Sequence, residues 1–159
     1  CYTVMAIAGP YVRLESSALA EGTLDAGRIA HLALRARNRG LAATPANLAA
    51  TLVSLDAGAI VLDAGGPVAY PALASLTSGD AAGGAGFRVM AADTVTPGRM
   101  VRFEARFTAD DGYFSRDTVE IAVGTPTVLV LDPCESLAGW TSSGGWGVVA
   151  TDAKRPNAY

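Results

Sequence analysis

The sequence predicts an all-β chain folded as an antiparallel β-sandwich. Three observations lead there. Apolar and polar residues alternate in segment after segment, the period of a half-buried strand. Turn formers (Gly, Pro, Asn, Asp) separate these segments roughly every dozen residues. "ADDGY" (Ala109–Tyr113) carries the Asp-Gly pair of a tight hairpin between two alternating runs. About seven such segments are what a two-sheet sandwich needs.

The elements follow in order. Tyr11–Ser16, "YVRLES", alternates and is introduced by a Gly9-Pro10 turn. Arg28–Asn38, "RIAHLALRARN", puts Ala30, Leu32, Leu34 and Ala36 on one side. His31, Arg35 and Arg37 take the other, with Arg39 continuing the rhythm. Wound as a helix, this stretch would set Arg28, Arg35 and Arg39 on one stripe with Leu32, whereas a strand separates charge from apolar surface. Gly40 and Pro45 then mark a loop. Leu48–Leu55 and Ala59–Asp63 read as strands. Alanine is the best helix former, so a helix over residues 41–54 is the rival. Pro45 and the β-branched Thr51 and Val53 weigh against it without excluding it.

After a Gly-rich passage, Gly79–Gly86, Phe87–Ala91 alternates again, and Thr96–Gly98 makes a turn. Met100–Thr108, "MVRFEARFT", is the clearest strand. Val101, Phe103, Ala105 and Phe107 share one face; Met100, Arg102, Glu104 and Arg106 share the other. The return strand, Asp117–Gly124, points Val119, Ile121 and Val123 inward and Thr118 and Glu120 outward.

Composition bounds the partners. The chain has 159 residues, 50% hydrophobic and 17% charged, which is a globular composition. Its net charge of -3 argues against nucleic acid, whose binders carry a clustered basic excess. No apolar run reaches the roughly 18 residues of a transmembrane helix. Lys154 is the single lysine among 12 basic residues, and Ala and Gly abound, a bias that points to a GC-rich bacterial genome. The chain starts at Cys1 without a signal peptide and stops at Tyr159 soon after new strand signals begin, so it reads as a piece of a longer polypeptide. "GTPT" (Gly124–Thr127) looks like a linker and sets a boundary near residue 126. The expected organisation is a tail of a preceding segment over 1–8, the sandwich over 9–125, and the start of a second β unit over 126–159.

Two stretches resemble known families. "GPYVRLESSALAEGTLDAG" followed by "LALRARNRGLAATPANLAATLVS" resembles the immunoglobulin-like module C-terminal to gingipain-type secreted bacterial cysteine peptidases, a module close to the CARDB-type adhesion modules. Gly9, Pro10, Tyr11 and Val12 match its opening, Asn38 and Gly40 its Asn-x-Gly strand end, and Val123-Gly124 its final strand and exit. The resemblance covers roughly residues 9 to 124 and implies an immunoglobulin-like sandwich. "LDPCESLAGWTSSGGWGVVATDAKRPNAY" resembles the first third of a jelly-roll accessory domain that often follows such modules. Asp132, Glu135, Ser136, Trp140, Gly145, Trp146 and Gly147 fit that pattern. Cys134 stands where an aromatic is usual and Leu137 where Gly is usual.

Site candidates divide between these readings. Relatives of the first module often place several oxygen ligands in the turn here written "EGTLDAGR". Only Glu21 and Asp25 remain, and the Arg28 cation would repel Ca²⁺, so a solvated turn is expected. For the jelly roll, the resemblance implies a structural Ca²⁺ held through Asp132 and Glu135 in the full-length domain; no other cofactor is expected. Trp140 and Trp146 are candidates for stacking on a sugar ring, with packing as the ordinary alternative. Arg35, Arg37 and Arg39, with Arg102 and Arg106, are expected to line one exposed sheet face. Such a face would attract an anionic partner such as a cell-surface polysaccharide. His31, the sole histidine, sits on the polar side beside Arg35, a poor setting for a general base, so solvent exposure is expected. Cys1 and Cys134 are the only cysteines, and they either pair or leave a buried free thiol at Cys134. No GxSxG, HExxH, Walker or GxGxxG pattern occurs, and no catalytic residue is expected. The expectation is a non-catalytic accessory module, secreted or at the bacterial cell surface, that spaces or docks neighbouring domains of a peptidase. The alternative is an adhesion or carbohydrate-binding module of a cell-surface protein.

Overall fold

In a computed structural model, which describes residues 7–63 and 66–125, nine strands form two antiparallel sheets packed face to face. They are β1 (Val12–Leu19), β2 (Ile29–Asn38), β3 (Ala49–Ser54), β4 (Ala59–Val61), β5 (Val68–Ala69), β6 (Ser78–Asp80), β7 (Phe87–Ala91), β8 (Met100–Thr108) and β9 (Phe114–Ala122). The first sheet runs β1-β2-β7-β4, with β6 also on β2; the second runs β5-β3-β8-β9. The described residues contain no α-helix, and a short 3-10 turn covers Ala82–Gly84. The helical rival for residues 41–54 is thereby excluded: the stretch is a loop leading into β3.

Burial follows the predicted phase. Ala30, Leu32, Leu34 and Ala36 of β2 face Val101, Phe103, Ala105 and Phe107 of β8, and all eight are buried. Val119, Ile121 and Val123 complete that wall. Tyr70 packs edge-on against Phe107 with ring centroids 6.0 Å apart, and its hydroxyl donates to Leu34 O at 2.8 Å. The core therefore holds a phenol without an orphaned polar atom, and burial pushes that phenol pKa up to about 12.

The β8–β9 hairpin keeps one register from Met100↔Ala122 to Thr108↔Phe114. Its turn places Asp111 and Gly112 at φ 60° and 70°, and Tyr113 N–H donates to Asp110 O at 3.2 Å. Two successive left-handed residues are what a two-residue turn matched to strand twist requires, so Asp-Gly sets the hairpin.

Two elements escape the alternation. β6 is three residues of "SGD", yet it pairs with Arg35–Arg37 of β2 where β7, which covers Ile29–Leu32, has stopped. β1 holds its phase only to Leu14. A bulge between Leu14 and Ser16 then shifts the register, so that Val12 and Leu14 point inward before it and Leu19 packs on the core after it.

Candidate functional site

Among the described residues, charged and polar networks gather on both outer faces and on one flank. On β2, Arg35 and Arg37 stand on the outer face of the first sheet. Arg35 bonds Glu15 at 2.9 Å and also Asp80; Arg37 reaches Glu15 at 3.1 Å. Glu15 follows the inward Leu14 in phase and so faces that side, at the bulge of β1. Its carboxyl is held below the usual range by Ser78 first and then by the two guanidinium groups. Asp80, with Glu15, raises the Arg35 pKa.

Arg102 and Arg106 stand on the outer face of the other sheet. Arg106 lies 2.6 Å from Glu104, which also takes Arg116 at 3.6 Å, and Arg102 lies 3.9 Å from Asp56. The expectation that all these arginines share one face is therefore corrected. β2 and β8 have the same inward-outward phase but belong to opposite layers, so Arg35 and Arg37 point away from Arg102 and Arg106. Each group is also met by carboxylates, which lowers the field it presents to an anion.

His31 is exposed, and its neighbour is a carboxylate. Its Nδ1 lies 2.7 Å from Glu21 Oε1, and its backbone N–H donates to Glu21 Oε2 at 2.8 Å. These bonds hold the Glu21 carboxyl below its ordinary pKa and commit it to tying the 20–28 turn onto β2. Asp25 and Arg28 are exposed on that turn. Among the described residues, no three His, Cys, Asp or Glu side chains are grouped closely enough to hold a metal ion.

The flank carries the densest polar network. Asn38, fully buried at the end of β2, accepts from Tyr11 N–H at 3.0 Å and from Gly40 N–H at 2.9 Å. Its amide donates to the carbonyls of Ala42 (2.7 Å), Leu73 (3.2 Å) and Ala74 (3.2 Å). Gly40 lies against the incoming chain: a Cβ there would meet Gly9 O at 2.0 Å and Tyr11 N at 2.7 Å. Gly9-Pro10-Tyr11 and Asn-x-Gly are thus two halves of one clasp.

A few residues on, Arg13 grips Asp117 of β9 through two bonds, 2.7 and 2.8 Å, and donates to Tyr11 Oη at 2.7 Å. Asp117 also accepts Leu14 N–H at 3.0 Å, and Tyr113 Oη accepts Val12 N–H at 2.7 Å. Burial alone would push the Asp117 carboxyl up. Arg13 and the amides of Leu14 and Thr118 outweigh it and hold the carboxyl below the usual range. The result caps an exposed strand edge with side chains from the opposite sheet. Sequence reading matched Asn38 and Gly40 to a motif but missed Arg13 and Asp117, which lie 104 positions apart.

Beyond that tie, β1 and β9 part and leave a groove of 380 Å³. Asp132, Glu135, Trp140 and Trp146, the two cysteines and the segment 126–159, expected to begin a jelly roll, lie outside the described residues.

The site thus belongs to an all-β sandwich whose polar groups bind the chain to itself. Comparison with protein-family models gives no match, and comparison with curated proteins gives none either.

Proposed function

We propose that residues 9–125 form a non-catalytic, immunoglobulin-like spacer and docking module of a secreted multidomain bacterial protein, a peptidase by the resemblance of its motifs. The observation that carries this reading is where the chain comes in and leaves. It comes in beside the β8–β9 turn, where Leu41 N–H donates to Ile7 O at 2.9 Å and Val12 is tied to Tyr113. It leaves at the far end of β9, where Gly124 N–H donates to Leu24 O at 2.8 Å. The nine residues of β9 separate these poles by about 30 Å. A body held at opposite ends can keep neighbouring domains of the same polypeptide in line at a fixed spacing.

Two further observations support the reading. The orders β1-β2-β7-β4 and β3-β8-β9 correspond to the A-B-E-D and C-F-G sheets of a constant-type immunoglobulin sandwich, with β5 added beside β3. The resembling motifs also acquire a mechanical role, since Gly9–Tyr11 seats on Asn38 and Gly40. In this reading the calcium expected at Asp132 and Glu135 belongs to the following domain, and a cell-surface polysaccharide is a secondary partner.

Deleting residues 9–125 from the parent protein tests the assignment. Hydrolysis of a small chromogenic peptide per molecule is expected to persist, while attack on macromolecular substrate or retention at the cell surface falls. Turnover of casein by the present chain alone would overturn the reading, and specific capture on a glycan array would favour the adhesion or carbohydrate-binding alternative.

A further inference from the structure

β1 and β9 belong to different sheets but run side by side in the same direction, joined at their starts by the Val12–Tyr113 and Leu14–Asp117 bonds. Past the bulge they diverge. The groove between them has Ser17 and Leu19 on one wall, Glu120 and Ala122 on the other, and Leu32 and Ile121 as its apolar floor. Its narrow end is closed by the Arg13–Asp117 pair and its wide end by the parallel bridge of Leu24 to Val123.

Both walls are sheet edges. In β1, the bond from Ala20 N–H to His31 O fixes which residues face β2: those in phase with Ala20 do, so the N–H groups of Ser17 and Leu19 turn into the groove. In β9, Val123 bonds Arg99 O and accepts from Gly98, so residues in phase with Val123 face β8 and those of Glu120 and Ala122 face the groove. Backbone donors and acceptors on an open edge call for partners. The side chains of Ser17 and Ala122 are small enough for another backbone to approach. Glu120 is exposed on the outer side of the same wall, opposite Arg102 in the hairpin register, and among the described residues no cation lies within salt-bridge distance of it.

We propose that this groove is a docking site for an extended peptide segment of a partner protein, about five residues long, added as a strand along β9. Small or apolar side chains of the segment face Leu32 and Ile121, and a Lys or Arg of the segment meets Glu120. The site does not depend on the parent being a peptidase. The 126–159 segment, a second copy and a separate protein would each reveal themselves differently in the test below.

The test is amide hydrogen exchange by NMR on the full 159-residue chain, with three blocked heptapeptides at millimolar concentration. One alternates Val and Ser around a central Lys, one has Glu at the centre, and one has the Lys sequence N-methylated at alternate positions. The Lys peptide is expected to slow exchange at Ser17, Leu19, Glu120 and Ala122, with the Glu and N-methylated peptides leaving those amides unchanged. Glu120→Lys, an exposed substitution, is expected to weaken the Lys peptide about tenfold, the effect of one charge-assisted bond, and to admit the Glu peptide. Equal binding of the Lys and Glu peptides, no change with any peptide, or full protection of those four amides before peptide is added would each overturn the proposal. In the last case concentration dependence assigns the cover to a second copy, and its absence to the chain's own residues.

Discussion

Replacing Asn38 with Ala is the sharpest test of the clasp that fastens the incoming chain. The side chain is fully buried; it accepts two bonds, and its two N–H groups serve three carbonyls, one N–H being shared. Truncation leaves the Tyr11 and Gly40 N–H groups without that partner, at about 1–3 kcal/mol each. The carbonyls of Ala42, Leu73 and Ala74 retain other acceptor capacity and cost less. A loss of about 3–5 kcal/mol follows, a large part of the 5–15 kcal/mol that ordinarily separates folded from unfolded domains. Urea unfolding followed by far-UV circular dichroism measures it, with Ala33→Ser on the exposed side of the same strand as a control expected within about 0.5 kcal/mol. The urea midpoint should fall with the slope unchanged. A loss below about 1 kcal/mol would rule out the clasp as a main fastening, because water or rearranged backbone would then replace the amide at little cost.

Further outcomes follow from the same geometry. Gly40→Ala forces a Cβ to within 2.0 Å of Gly9 O, a backbone clash expected to cost about 3 kcal/mol and to raise exchange at Tyr11 and Val12 selectively. Asp117 has a depressed folded pKa, so its contribution is present above the unfolded value of about 3.9 and is lost as pH falls through the folded value. Asp117→Asn should therefore flatten the acid limb of a stability–pH curve, and parallel limbs would contradict the role given to Arg13. Gly112→Ala, at φ 70°, should destabilise by about 1–2 kcal/mol in the same urea assay, the penalty of placing a Cβ in a left-handed residue.

Much of the fold was legible because the long strands are buried on one face only. β7 and β8 begin and end where period two begins and ends, and Asp111-Gly112 declares its turn. β5 and β6 were not legible. Two or three residues cannot show a period, and "SGD" becomes strand only because β2 offers it a free edge. β1 was read correctly at its start and not beyond, because a bulge inverts the phase and an edge strand packs little of its second half. The arginines were misplaced for a related reason: phase along a strand says inward or outward but not which sheet. Asn38 looks in sequence like any turn asparagine, and only the loops converging on it reveal that it is buried.

The spacer role requires that the chain come in and leave at opposite poles of the sandwich. Electron–electron resonance between spin labels at Ala8 and Thr125, with Cys1 and Cys134 replaced by Ser, measures that separation directly. One narrow distance distribution is expected at about 30 Å, the nine-residue length of β9, extended by the label arms. A broad distribution, or one centred below about 20 Å, would contradict it, since adjacent or loosely held ends cannot space two neighbours.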